Sequence, residues 1–438
     1  MKNKILIFLS RLNIIYPYHL GVSFIKYRIF FKKNYLFYDN NISLFSAVNN
    51  SLRSIPFYLI NNIPNIQTNE EFKKLIPIID KETIMNNREL FILPDYNKSK
   101  TVEGTTGGTS GKPLRLLIPK NRYIVELNTM NSMWKNVGWK GEIRGVIRNK
   151  QSINNQIFIV NPFKKEIIFD GFITDDDYYE KIYQTLVKYK IKFIHSYPSS
   201  AYQFSLFLKK YKKDTSLFKA FLCGSEGLTD LQYNLIKNEL GINIYNWYGH
   251  SEKLVLGGPC KNNDAIHIEP TYGYFELLDE NNNEITTPGE FGEIVGTSFN
   301  NPYMPFIRYR TGDYAEYVGN YCGSCNRHLI LIKNIQGRWD LNKIFLIDNT
   351  YVTITALNLH SDLYHFIEGM QYIQKEKGKL EIYLVKGNEY NTDVENRFKV
   401  HFQNSLKGKC TFELIYIKET LKEKNGKFLP LKQLTKLT

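Results

Sequence analysis

"FKAFLCGSEGLTDLQYNLIKNELGINIYNWYGHSE", residues 218–252, reads strand, helix, strand. A largely apolar run ends at Gly224, Thr229 and Asp230 open a helix that runs to Leu240, and "INIYNWYG" (242–249) is again rich in β-formers. Strands joined through a helix pair in parallel, with a right-handed crossover. The pattern continues upstream. "TDDDYYEKIYQTLVKYK" (174–190) sets Tyr178, Ile182, Leu186 and Tyr189 on one helical face behind Thr174 as N-cap, a strand follows at 192–195, and a further helix spans about 200–211. Ligands of open parallel sheets gather beyond the carboxyl ends of the strands. Three polar loops fall there: "SYPSS" (196–200), "GSEG" (224–227) and "YGHSE" (248–252).

From Tyr272 the period changes. "YGYFELLD", the turn "ENNNE", "GEIVGTS" and "PFIRYRTGDYAEYV" alternate as antiparallel strands, which predicts an antiparallel subdomain over about 270–335. "QGRWD" (336–340) reads as a linker. The tail from about 367 gives strand, Gly-Lys turn, strand, a helix at 392–405 and a strand at 411–417, a small α+β unit. The expected fold is therefore α/β plus α+β, a large N-terminal part followed by a small C-terminal one.

At 438 residues with 43% hydrophobic side chains, the chain can bury a large core. Its net charge of +14 invites an anionic partner, but the lysines are dispersed and no aromatic and basic nucleic-acid motif accompanies them. The apolar run Ile5–Leu9 is too short for a signal peptide or a membrane span. A cytoplasmic protein is expected, and residues 1–35, mixing aromatics with lysines, suit weak contact at the inner membrane surface. Five cysteines do not form a disulfide framework. Cys322-Gly-Ser-Cys325 has zinc-knuckle spacing, and Cys260 and His267 upstream would complete a tetrahedral zinc set; free buried thiols are the competing reading. Cys223 and Cys410 read as core.

"TVEGTTGGTSGKPLRL" (101–116) is the strongest phosphate signal. It is not a Walker A loop, because Thr106 stands where the first glycine belongs and Pro113 follows Lys112. Its small residues still allow close backbone approach to a polyphosphate, with Thr105, Thr106, Thr109, Ser110 and Lys112 as donors.

In chain order, "TTGGTSGKP", "GSEG", "YGHSE", "RYRTGD" (308–313), "GRWD" (337–340) and "NGKF" (425–428) resemble the motif series of the adenylate-forming enzymes, within them the phenylacetate-CoA ligase, coenzyme F390 synthetase and CapK-like branch. The resemblance implies a large ATP- and acyl-binding domain over 1–337, a hinge at 338–341 and a mobile domain over 342–438. It further implies that Thr105, Thr106, Gly107, Gly108, Thr109, Ser110, Gly111 and Lys112 close over the ATP phosphates, and that Gly224, Ser225 and Glu226 border the adenine. Tyr248, with Gly249, His250 and Ser251, would flank the nucleotide. Glu252 would hold Mg2+, Asp313 would accept the ribose hydroxyls beside Arg338, Asp340 would be the hinge, and Lys427 would reach the carboxylate and α-phosphate.

The implied activity is ATP-dependent activation of a small-molecule carboxylic acid, with transfer to CoA, a carrier thiol or a sugar in bacterial surface polysaccharide assembly. After Asp340 the chain departs from the family, and Asp348-Asn349 replaces the usual Asp-Gly; Asn tolerates the left-handed turn, so a hairpin is still expected. Two rival readings stay open: a basic, zinc-stabilised nucleic-acid binder without ATP chemistry, and a degenerate nucleotide-binding scaffold.

Overall fold

The structure, a computed structural model, describes the chain apart from residues 1, 12–14, 37, 107–113, 149–155, 338–342, 355–356, 358–362, 364–365, 420, 422–430 and 435–438. A hairpin of β1 (Thr101–Thr105) and β2 (Arg115–Pro119) precedes the main sheet. The parallel strands are β3 (Arg144–Arg148), β5 (Glu166–Asp170), β6 (Phe193–Ser196), β7 (Ala220–Gly224) and β8 (Asn243–Gly249), with β4 (Ile159–Asn161) antiparallel at the edge. The antiparallel strands are β9 (Leu256–Cys260), β10 (Asn263–Ile268), β11 (Gly273–Leu278), β12 (Phe291–Ser298), β13 (Tyr309–Cys322) and β14 (Arg327–Gln336). All twelve from β3 to β14 run on in one sheet, ordered β11-β12-β13-β14-β10-β9-β8-β7-β6-β3-β5-β4.

The parallel pairing of β6, β7 and β8 and the antiparallel block after Tyr272 follow the sequence patterns. The two are not separate layers, however: β8 pairs with β9 through Tyr248 and Gly249, so the loop Gly249–Val255 lies where parallel gives way to antiparallel.

Strand alternation sends Phe221 and Cys223 to one face of the sheet, against Ile182, Leu186 and Phe204 of the helices Asp176–Lys188 and Pro198–Lys210. Leu222 and Tyr245 point to the other face, under Trp134 and Met130 of the Arg122–Val137 segment. Each large apolar side chain so buried contributes about 1.5–3 kcal/mol. The helix expected from Thr174 starts later, because Asp175 accepts from the Tyr178 N–H and is the cap; the helix at Thr229 is capped as expected, by a reciprocal Thr229/Gln232 box, then widens into a π-helical turn over Asn234–Glu239.

The C-terminal part carries β15 (Lys343–Phe345) paired with β16 (Tyr351–Thr353), and a four-stranded sheet of β17 (Ile367–Glu376), β18 (Lys379–Lys386), β19 (Thr411–Tyr416) and β20 (Leu431–Gln433). The helix Thr392–Leu406 packs there through Val394, Phe398 and Phe402. Asn349, at φ +65°, makes the left-handed turn between β15 and β16. Cys223 and Cys410 are buried in the core.

Candidate active site

Beyond the carboxyl end of β7 the chain turns sharply. Ser225 adopts a left-handed φ of +69°, and a Cβ on Gly224 would stand 2.3 Å from the Trp247 ring, so only glycine fits that position. The turn swings Glu226 inward. Its carboxylate accepts from the Ser199 N–H (3.0 Å) in the first turn of the helix Pro198–Lys210 and from the Thr353 hydroxyl (2.7 Å) of β16. Glu226 thereby joins the large sheet to the C-terminal hairpin. Burial pushes the Glu226 carboxyl up, against the lowering hydrogen bonds from Thr353 and Ser199.

A carboxyl whose folded pKa is raised holds its proton more tightly when folded. The stability it contributes is full below its ordinary value of about 4.5 and is lost as pH rises through the raised folded value. Glu226→Gln, which stays neutral, is therefore expected to gain in Tm relative to the wild type as pH goes from 4.5 to 8. A pH-independent Tm difference would show that the carboxyl is not raised.

Near the β8–β9 junction six loop and strand side chains form two hydrogen-bonded sets. The Tyr248 hydroxyl donates to Asp313 Oδ2 (2.9 Å), both residues being buried. Burial first, then the Asp313 charge, holds the Tyr248 phenol far above its usual range, so it remains a donor. Asp313 is set by Thr311, whose hydroxyl accepts from the Asp313 N–H (3.1 Å) and donates to the Ile294 carbonyl (2.8 Å). His250 Nε2 accepts from the Val255 N–H (3.3 Å), which leaves Nδ1 as the donor to Glu252 Oε2 (3.0 Å). The Tyr309 hydroxyl donates to Glu252 Oε1 (3.3 Å). Gly249 closes β8 and Ser251 sits in the following turn.

Thr105 and Thr106 lie at the mouth of the β1/β2 hairpin. The Thr106 N–H donates to the Leu114 carbonyl (3.0 Å), and its hydroxyl accepts from the Leu114 N–H (3.1 Å), fixing both ends of the glycine-rich stretch. Gly107, Gly108, Thr109, Ser110, Gly111, Lys112, Arg338, the hinge residue Asp340 and Lys427 lie outside the described residues.

Sequence reasoning missed a buried polar group beneath the same strand ends. His195 stands edge-on to Trp134 (5.6 Å) and Trp247 (5.2 Å), and the Arg144 guanidinium lies 5.0 Å over the Trp134 ring. Glu166 is shared by Arg144 (2.7 Å) and Arg148 (3.3 Å), leaving one positive charge in excess. Burial, with Arg144 and Arg148, holds His195 neutral, far below its usual range. Its Nδ1 and the Trp134 Nε1 have no hydrogen-bond partner among the described residues. The one legible sign is His195 itself, a polar residue inside the apolar run "KFIHS".

The cysteine set does come together. Ligand atoms of Cys260, His267, Cys322 and Cys325 all lie within 4.8 Å of one another at the ends of β9, β10, β13 and β14. His267 Nδ1 bonds the Ala265 carbonyl (2.7 Å), the second contact that orients a metal-binding imidazole, and leaves Nε2 buried toward the thiols. Three thiols and one imidazole at this separation fit a tetrahedral zinc ion.

No protein-family model matches the chain. Protein CapK of Staphylococcus aureus is 23% identical over 377 residues, covering 82% of this chain and 76% of CapK. The phenylacetate-coenzyme A ligase of Pseudomonas putida is 34% identical over 120 residues, about a quarter of each chain. Among solved structures, a 2-hydroxyisobutyryl-CoA ligase in complex with 2-HIB-AMP and CoA in the thioesterification state superimposes with a TM-score of 0.59 over 89% of this chain and 88% of that one, at 15% identity. The chain is thus similar in sequence to CapK and to phenylacetate-CoA ligases, and it shares the fold of a CoA ligase. The large mixed sheet and the small C-terminal sheet correspond to the fold of those neighbours, as the motif series led one to expect.

Proposed function

We propose that the protein is an AMP-forming acid ligase that makes an acyl-adenylate and passes the acyl group to a thiol. The observation that carries this reading is the union of Tyr248 and Asp313, 65 residues apart, with Glu252 in one buried cluster beside the strand ends. The domain division at 338–341 and the hinge at Asp340 belong to the same proposal.

A carboxylate oxygen attacks the α-phosphorus of ATP, the bond to the β-phosphate oxygen breaks and pyrophosphate leaves. Like-charge repulsion dominates that approach, so positioned cations set the barrier. Glu252 is the residue for Mg2+: its two oxygens are oriented by His250 and Tyr309, and a hard carboxylate oxygen suits the ion. When bound, Mg2+ supplies charge neutralisation at the phosphates. Asp313, oriented by Tyr248 and Thr311, would accept the ribose hydroxyls through Oδ1. The 105–112 stretch and Arg338 would hold phosphate and ribose, and Lys427 the reacting carboxylate. Gly224 and Ser225 would border the adenine by their backbone, since the Glu226 side chain is turned to Ser199 and Thr353.

The thiol of CoA or a carrier then attacks the acyl carbon and AMP leaves. CoA is favoured by the CoA-bound ligase of the same fold. A sugar acceptor in bacterial surface polysaccharide assembly is the second reading, favoured by the likeness to CapK over most of the chain. The test is acid-dependent exchange of labelled pyrophosphate into ATP over a panel of aryl, hydroxy, amino and sugar acids. Exchange with one class, abolished without magnesium, is expected; silence across the panel together with undetectable ATP binding would overturn the proposal.

The cysteine cluster is proposed as a structural zinc site that clamps the antiparallel half of the sheet. Purified protein is expected to carry about one zinc per chain by elemental analysis, lost in Cys322→Ser with a lowered Tm. Zinc-free protein of unchanged Tm after chelation would refute it.

A further inference from the structure

Residues 1–38 contain seven Lys or Arg and no Asp or Glu, so they carry +7 of the net +14. Much of this charge sits on the helix Ile15–Lys33. The helix is fastened through Phe24, Tyr27 and Phe31: Phe24 packs on Ile124, the Tyr27 hydroxyl reaches the Thr271 carbonyl (3.4 Å), and Phe31 is buried. Just after it, the Tyr35 carbonyl accepts from Arg327 Nε (2.7 Å), so the segment is held to the body from Phe24 to Tyr35.

The opposite face is also apolar. Val22, Ile25 and Ile29 are 66%, 48% and 52% exposed, one helical turn apart, where a water-facing helix would carry polar groups. Lys26, Arg28, Lys32 and Lys33 flank them, all exposed. Lys135 completes the patch: burial, with the nearby charges of Arg28 and Lys32, pulls its ammonium below the usual range. No described helix is long and apolar enough to cross a membrane, so the surface can only be laid against one.

We infer that this face docks on an anionic lipid surface, with Val22, Ile25 and Ile29 entering the headgroup boundary and Lys26, Lys32, Lys33 and Lys135 meeting acidic headgroups. Charge selects this occupant. A second copy would bring a like-charged patch against it, and a polynucleotide would leave the branched aliphatic residues in water.

Sedimentation of the full chain with vesicles tests this. With phosphatidylcholine containing about one third phosphatidylglycerol, the protein is expected in the pellet at low salt; with phosphatidylcholine alone, in the supernatant. Lys26→Gln/Lys32→Gln/Lys33→Gln is expected to weaken binding about 100- to 200-fold, from about fivefold per basic residue. Ile25→Asp/Ile29→Asp is expected to abolish binding with Tm unchanged. Wild-type protein left in the supernatant with anionic vesicles overturns the proposal. So does equal pelleting of the triple variant and wild type, or an Ile25→Asp/Ile29→Asp variant that only converts a dimer to a monomer in analytical ultracentrifugation. Should that double variant fail to fold, the lysine variant and the salt dependence of wild-type binding decide.

Discussion

Glu252→Gln is expected to lower the rate of adenylate formation by about 10²- to 10³-fold, the range for losing one preorganised electrostatic group, while leaving the fold intact. Glutamine preserves size and both contacts. Its carbonyl oxygen can take the His250 Nδ1–H, fixed as the donor by the Val255 N–H on the other ring nitrogen, and its amide can face the Tyr309 oxygen. What it loses is the negative charge that would bind magnesium. The expected signature is a large drop in kcat, partial recovery at high magnesium, and a Tm change within about 2–4 °C. A variant of full activity at all magnesium concentrations would reduce Glu252 to a structural acceptor.

Arg308→Ala is expected to destabilise the protein by about 3–5 kcal/mol, read from the urea midpoint. The guanidinium grips Glu276 with two bonds (2.9 and 3.2 Å) and donates to the Lys73 and Ile76 carbonyls (2.7 and 3.1 Å). It thereby ties the N-terminal helix Asn69–Leu75 to β11, immediately before the Tyr309–Asp313 segment of the site. Removing it strands a buried carboxylate.

Burial already pushes the Glu276 carboxyl up, with Arg308 opposing. In the variant that opposition is gone, so the folded pKa rises further and stability is lost as pH climbs through it. The deficit should be larger at pH 8 than at pH 5, and Glu276→Gln in the same chain should restore part of it. A deficit below about 1 kcal/mol at pH 8 would mean that Glu276 finds water or another partner.

The sequence made the parallel strands, the antiparallel block and the strand-end loops legible because these rest on period and on residues adjacent in the chain. Thr229 and Asn349 each carry their local reason with them. Contacts between distant segments carry none: the pairing of Glu226 with Thr353 spans 127 residues, and that of Arg308 with Glu276 spans 32. Each residue alone looks like a surface charge or a turn former. The cysteine cluster lies between these cases, since Cys322 and Cys325 announce themselves by spacing, while Cys260 and His267 join them only because β9 and β10 pair beside β14. Thr174 was the natural cap by position, yet the helix starts one residue later, where Asp175 takes the Tyr178 N–H.

The central claim is that the acid's own oxygen becomes bonded to the α-phosphorus. It is tested most directly by turning over an accepted acid labelled with 18O in both carboxyl oxygens, with ATP, magnesium and a thiol acceptor, and weighing the AMP released. An acyl-adenylate leaves its bridging oxygen on the nucleotide, so AMP heavier by one 18O is the expected result. Unlabelled AMP, or ADP with the label in inorganic phosphate, would contradict the account.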